Sequence, residues 1–251
     1  MRIWIDTDVG TNPDDAVALF CAVAHPGVEL AGVSTVGADV LWRAEVACRL
    51  VPEEVAVVAG AAAAVAAIPA AGPDLVLGIG PLTNLAALAG TGWRAPRTVV
   101  MGGALAPVQH RGGLRRVESN FGADPGAAAV VLAHPGVTVV PLDATVATRV
   151  DAVMLGRLLA AAPELVPTVE LWLAGLAETG VPAGEEAVHL HDPAALLVAV
   201  GEGVGRLEAR VLVVDGNGAL REDQGGVAHD VVVGLDGPGV VRRVVALLRG
   251  R

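Results

Sequence analysis

The chain has 251 residues, 53% of them hydrophobic, and a formal net charge of −10 at pH 7. That length suits one α/β domain, expected to run over residues 1–251, with apolar content enough for a sizeable core. The acidic balance argues against nucleic acid or an anionic membrane as partner, because both select basic patches.

In chain order, apolar strands are expected at Arg2–Asp6, Val28–Val36, Val55–Val58, Leu75–Gly78, Thr98–Met101 and Val137–Leu142. They are Val/Ile/Leu runs without polar alternation, the pattern of strands buried on both faces. Helical patterns fall between and after them, at Pro13–Ala24, Leu41–Val51, Asn84–Leu88, Pro125–Leu132, Ala152–Ala161 and Pro193–Val200. Three helices carry Pro at the first position behind an Asn or Asp able to cap: Asn12-Pro13, Asp124-Pro125 and Asp192-Pro193. Two more strand-like runs, Arg210–Val214 and Asp230–Val233, precede a closing helix around Val240–Leu248. Alternating β and α elements imply a mostly parallel central sheet with helices on both faces, and ligands beyond the carboxyl ends of its strands.

The stretch from Val55 to Pro73 carries no charge and is long enough to span a bilayer. It is Ala-rich and broken by Pro69, Gly72 and Pro73, so no membrane span is expected. Cys21 and Cys48 lie in apolar helical patterns and read as buried thiols without a disulfide framework. No secretory signal precedes Asp6 and Asp8, so the expected compartment is the cytoplasm. The basic stretch Arg111 to Arg116 is Gly-rich and reads as a solvated loop.

The chemistry concentrates at strand–helix junctions. Asp6, Asp8, Asp14 and Asp15 crowd the end of the first strand and the first turn of the next helix. The helix dipole accounts for Asp14 or Asp15 alone. It does not account for four carboxylates together, whereas a hard divalent cation held by oxygen ligands does. A second junction is Gly78-Ile-Gly-Pro-Leu-Thr-Asn84, which read alone is an ordinary strand-to-helix turn. Met101-Gly-Gly-Ala104, Glu118-Ser-Asn120 and His189-Leu-His191-Asp192-Pro193 follow. An imidazole next to a carboxylate at a helix start can serve structure or chemistry equally.

Taken in order, these motifs resemble those of the calcium-dependent, inosine-uridine-preferring nucleoside hydrolases. The family's opening signature, Asp-x-Asp-Pro-Gly-x-Asp-Asp, is matched here by Asp6-Thr-Asp8-Val-Gly10-Thr-Asn-Pro-Asp14-Asp15. Gly80–Asn84, Met101–Ala104, Glu118–Asn120, Leu142-Asp-Ala-Thr145 and His191-Asp-Pro193 keep the family's order and approximate spacing. The resemblance implies a Rossmann-like nucleoside hydrolase fold and hydrolysis of the N-glycosidic bond of a ribonucleoside, in purine and pyrimidine salvage. It implies Ca²⁺ held by Asp8, Asp15, Asp192 and the backbone carbonyl of Thr83. Asp8 would also take a proton from a metal-bound attacking water, and His191 would protonate the leaving base. Asp14, Asp39, Glu118 and Asn120 would contact the ribose. The partner would be a small nucleoside or other N-riboside, and the assembly a homodimer or homotetramer.

Departures from the pattern are equally specific. Two extra residues separate Gly10 from Asp14, and Val9 replaces the usual Pro. Asp39 stands where an Asn is common, and the segment between Gly60 and Gly80 is short, with the family's His-Gly pair and connecting helix expected to be missing. The loop ahead of Glu118 lacks an Asn near Gly112, and the region between Trp172 and His189 contains no Tyr, which implies a reduced lid over the base. Two other readings compete. Ile5-Asp-Thr-Asp-Val9 also fits the haloacid dehalogenase phosphatases, but their chemistry needs a Lys and this chain has none. A calcium- and ribose-binding homologue without turnover would keep the ion site and lose the lid.

Overall fold

The structure is a computed structural model that describes residues 1–110, 112–178 and 188–250. Its first half runs β1 (Arg2–Thr7), α1 (Pro13–Ala24), β2 (Glu29–Thr35), α2 (Val40–Cys48), β3 (Val57–Ala59), α3 (Gly60–Ala71), β4 (Leu75–Gly78), α4 (Thr83–Gly90) and β5 (Thr98–Met101). A small hairpin, β6 (Val108–His110) and β7 (Gly113–Arg115), leads into α5 (Ser119–Ala123), α6 (Pro125–Leu132), β8 (Val137–Val140) and α7 (Leu142–Thr145). Then come β9 (Arg149–Val150), α8 (Ala152–Ala161), α9 (Val166–Glu178), β10 (Val188–His189) and α10 (His191–Ala199). The chain closes with β11 (Gly205–Val214), β12 (Leu220–Glu222), β13 (Val227–Leu235) and α11 (Gly237–Arg249).

The main sheet has the order β12-β11-β13-β8-β5-β4-β1-β2-β3. Every pairing from β13 to β3 is parallel, and only β11 pairs antiparallel with its neighbours. From β1 the chain moves out through β2 and β3, then returns to β1's other side with β4, β5 and β8. That reversal makes the gap between β1 and β4 a topological switch point, where a crevice opens beyond the strand ends.

Strand β1 shows why both faces are covered. Ile3 and Ile5 point into a core shared with α1, α10 and α11, while Trp4 points the other way, among residues of α3, α4 and α6. All three are fully buried, as alternation on a two-faced sheet demands.

Two sequence expectations are corrected here. The run of Ala from Gly60 is not a gap lacking its connecting helix: it forms α3, which buries Ala64 and Ile68 and ends at left-handed Gly72. Ala is the strongest helix former, and the run carries the helix past Pro69, which has no N–H to give the carbonyl four residues back. Cys48 is exposed rather than buried. Helix α2 buries only Arg43 and Ala47, one stripe four residues apart, and Cys48 lies beside that stripe. Among the described residues, no single helix is long and apolar enough to cross a membrane.

Candidate functional site

The acidic opening of the chain folds as a strand end feeding a helix start. Thr7 closes β1, its backbone inside the sheet, and its hydroxyl donates to Asp15 Oδ1 at 2.5 Å while accepting from the Val9 amide at 3.1 Å. Asn12 occupies the N-cap position of α1 without a side-chain capping bond, and Pro13 begins the helix. Asp14 and Asp15 then fall in its first turn, both buried. The extra residues before Asp14 are thus absorbed in the turn, and Thr11 and Asn12 face the same cavity as the carboxylates.

That cavity holds about 280 Å³ and lies beyond the ends of β1, β4, β5 and β8. Asp8, Asp14 and Asp15 line one side, Asp192 and His191 a second, and Glu118 and Asn120 a third. Ligand oxygens of Asp14, Asp15 and Asp192 all stand within 4.8 Å of one another. With its oxygens this close, the Asp14 carboxyl favours the protonated form of Asp192. Burial, then the charges of Asp14, Asp15 and Asp8, pushes Asp192 well above the usual carboxylate range. Burial, then Asp8 and Asp14, does the same to Asp15. Burial also raises Asp8, against the pull of the Arg43 guanidinium. An all-oxygen, strongly acidic donor set of this kind fits a hard divalent cation, which relieves the same repulsion as the protons.

The surrounding bonds fix this arrangement. Asp6 is turned away into the sheet, where its Oδ1 accepts from Ser34 Oγ at 2.5 Å and Asn84 Nδ2 at 2.8 Å. Burial pushes Asp6 up to about 7. Glu118 caps α5: its carboxylate accepts from the amides of Asn120 at 2.8 Å, Phe121 at 3.1 Å and Gly103 at 3.0 Å. Burial still outweighs those bonds and raises Glu118 to about 7. Asn120 Nδ2 bridges the ends of β4 and β5, donating to the Ile79 and Met101 carbonyls at 3.1 Å each. Its oxygen is therefore the atom it can present to a ligand. At the start of α10, His191 Nδ1 lies 2.8 Å from Thr145 Oγ1, and the Leu190 amide donates to Thr148 Oγ1 at 3.0 Å.

Most residues anticipated from sequence meet here, with some changes of place. Asp8, Asp15 and Asp192 line one cavity, and Asp14, expected on the ribose, lines it with them, its oxygens within 4.8 Å of those of Asp15 and Asp192. Thr83 begins α4, and its hydroxyl donates to Asp124 Oδ2 at 2.6 Å. The turn before it presses on Asp8: a Cβ on Gly80 would stand 2.9 Å from the Asp8 amide nitrogen and 3.0 Å from Oδ1. Asp39 is not brought to the cavity wall. It is exposed, in the left-handed region at φ 52°, just ahead of α2. The reduced lid expected between Trp172 and His189 falls largely on residues outside those described.

Three participants escaped the sequence reading. Arg43, buried in α2, donates to the Val9 carbonyl at 3.0 Å and the Ala38 carbonyl at 2.8 Å, placing a cation behind the carboxylates. A lone Arg in a helical pattern carries no signal of that role. Arg115, expected in a solvated loop, and His110 just ahead of that stretch sit on the β6–β7 hairpin and line the cavity. His110, His189 and His191 group together, with ring centroids 4.8 to 5.3 Å apart.

Comparison with known proteins fits this geometry. Residues 48–241 match the inosine-uridine preferring nucleoside hydrolases, a span that takes in every motif after the opening acidic cluster. No curated protein is matched by the sequence. Among solved structures, the chain resembles a purine-preferring ribonucleoside hydrolase from Gardnerella vaginalis, with TM-score 0.81, 22% identity and 99% of each chain covered. It also resembles a plant nucleoside hydrolase, with TM-score 0.80, 20% identity, and 100% of this chain and 99% of that one covered. An inosine-uridine preferring nucleoside hydrolase from Bacillus anthracis gives TM-score 0.74 at 18% identity, with 100% of this chain and 99% of that one covered. At such identities the likeness establishes the Rossmann-like fold, and the family match adds the lineage: this chain belongs to the inosine-uridine preferring nucleoside hydrolases, enzymes that hydrolyse N-glycosyl compounds.

Proposed function

We propose that the chain hydrolyses the N-glycosidic bond of a ribonucleoside, releasing free base and ribose, with Ca²⁺ as its cation. The observation that carries this is the convergence of Asp8, Asp14, Asp15 and Asp192, from opposite ends of the chain, on one cavity at the switch point. Asp8, Asp15, Asp192 and the Thr83 carbonyl are the ligands in this reading, with Asp14 shared between the cation and the ribose. When bound, the cation supplies Lewis acidity toward water and a positive partner for ribose hydroxyls.

The chain's own residues do the rest. Asp8 takes a proton from the attacking water, a task its place on the cavity wall beside Asp14, Asp15 and Asp192 supports. Asn120 offers its oxygen to a ribose hydroxyl, and Glu118, although bound to three amides, keeps lone pairs for another. The carboxylate-lined cavity favours the positive charge that develops on the sugar as the bond to the base breaks. His191 donates a proton to the departing base, its ring steadied by Thr145.

The test is release of free base and reducing sugar from a nucleoside panel, with chelator and with Ca²⁺ restored. Turnover is expected only with the ion, and Asp8→Ala is expected to lower it by roughly 10³-fold. An Asp8→Ala enzyme with full activity would remove Asp8 from the reaction. Failure to cleave any N-riboside while Ca²⁺ is bound would instead identify a ribose-binding homologue.

A further inference from the structure

We propose that His110, His189 and His191 form a second cation site, separate from the carboxylates and selective for a borderline transition metal such as Zn²⁺. The three imidazoles come from three segments: the β6 end of the hairpin, the end of β10 and the first residue of α10. One ring nitrogen from each lies within 4.8 Å of the others. His189 and His191 are 7% and 5% exposed, so two of the three donors are already held in a dry setting.

Donor chemistry separates this group from its neighbour. Asp14, Asp15 and Asp192 offer only oxygen, which suits Ca²⁺ or Mg²⁺. The histidines offer only imidazole nitrogen, which suits Zn²⁺, Co²⁺, Ni²⁺ or Cu²⁺ and holds Ca²⁺ poorly. His191 also has the outer partner that such ligands use. Thr145 Oγ1 lies 2.8 Å from His191 Nδ1, and with Nδ1 protonated toward it Nε2 would be the ligand atom.

Closure on an ion requires a defined movement. Tetrahedral zinc brings its nitrogen ligands to roughly 3.3 Å from one another, given Zn–N bonds of about 2.0–2.1 Å. The His189 and His191 rings lie 6° from parallel, and His110 stands edge-on to them at 71° and 75°. The stacked pair must pivot so that its lone pairs converge, and His110 must move inward. His189 and His191 are fixed by the β9–β10 pairing and by α10, whereas among the described residues β6 pairs only with β7. The hairpin is therefore the element that closes. A bound ion would occupy a ring nitrogen of His191, the residue proposed above to protonate the leaving base. Inhibition of hydrolysis by Zn²⁺ follows from that assignment, but the site itself does not depend on it.

Co²⁺ titration of the chelator-stripped full chain, in saturating Ca²⁺, tests the site directly. One equivalent is expected to bind with the visible absorption of low-symmetry cobalt–imidazole coordination, and Zn²⁺ is expected to displace it. His110→Ala and His110→Gln should each weaken binding at least tenfold, while Asp15→Asn should keep the spectrum. No visible band, displacement of Co²⁺ by Ca²⁺, or undiminished binding in both His110 variants would overturn the site. Hydrolysis assayed without any transition metal reports separately on the proposed function, so failure of one reading is distinguishable from failure of the other.

Discussion

Buried carboxylates set against one another must bind protons, bind a cation or unfold their surroundings, and Asp14, Asp15 and Asp192 face that choice with their oxygens within 4.8 Å of one another. Their neighbours are correspondingly strict about space. Gly80 is the sharpest case, because any side chain there meets Val36 Cγ1 at 2.7 Å as well as the Asp8 amide and carboxylate. Neither the Asp8 backbone nor the sheet beneath it can retreat cheaply. Gly80→Ala is expected to cost about 1–3 kcal/mol of stability, by overpacking, and to displace Asp8. Denaturant unfolding measures the first effect and Ca²⁺ titration calorimetry the second, where at least a tenfold loss of affinity is expected. Unchanged ion affinity with lowered stability would show that Asp8 is not a ligand.

At the scale of elements, the pairing of β1 with β2 links sheet packing to the site. Trp4 pairs in register with Gly32, and a Cβ at Gly32 would stand 2.2 Å from Trp4 Cζ3. The large ring fits because the neighbouring strand offers bare backbone there. Trp4 Nε1 in turn donates to Ser34 Oγ at 2.9 Å, and Ser34 donates to Asp6. Gly32→Ala is therefore expected to cost about 1–3 kcal/mol and to shift the indole, visible as a change in tryptophan emission before unfolding. Loss of stability without any change in emission would place the strain elsewhere.

For the molecule as a whole, the raised carboxyls set how stability responds to pH. Asp6 and Glu118 are held near 7 in the folded protein against ordinary values of 3.8 and 4.5, and Asp8, Asp15 and Asp192 move the same way. The folded chain then binds more protons than the unfolded chain between those values and about 7. Stability must fall as pH rises through that window, the reverse of an ordinary ion-paired acid. Glu202, held low by Arg243 and His25, and Asp215, held low by the Asn217 and Ala219 amides, act below the window. In chelator, Tm is expected to drop by roughly 10 °C from pH 4.5 to pH 8, and saturating Ca²⁺ should recover much of it at the upper end. A Tm that rises across this range in chelator would contradict the burial of these acids.

The sequence by itself determined the alternation of strand and helix, the buried character of the strands, the proline-led helix starts and the motifs of the family. Those are local matters: periodicity, capping and turn chemistry act over a few residues, so Asp8, Asp15, Glu118 and His191 stood out before any distance was known. The helix at Gly60–Ala71 and the exposed Cys48 were misread because apolar composition alone does not say which face meets the sheet. Only the tertiary structure decided that Asp192 closes on Asp14 and Asp15, that Arg43 stands behind them, that Asp39 stays outside and that His110 joins His189 and His191. Such meetings depend on strand order and on the reversal between β1 and β4, which bring together residues whose separation along the chain carries no information about their separation in space.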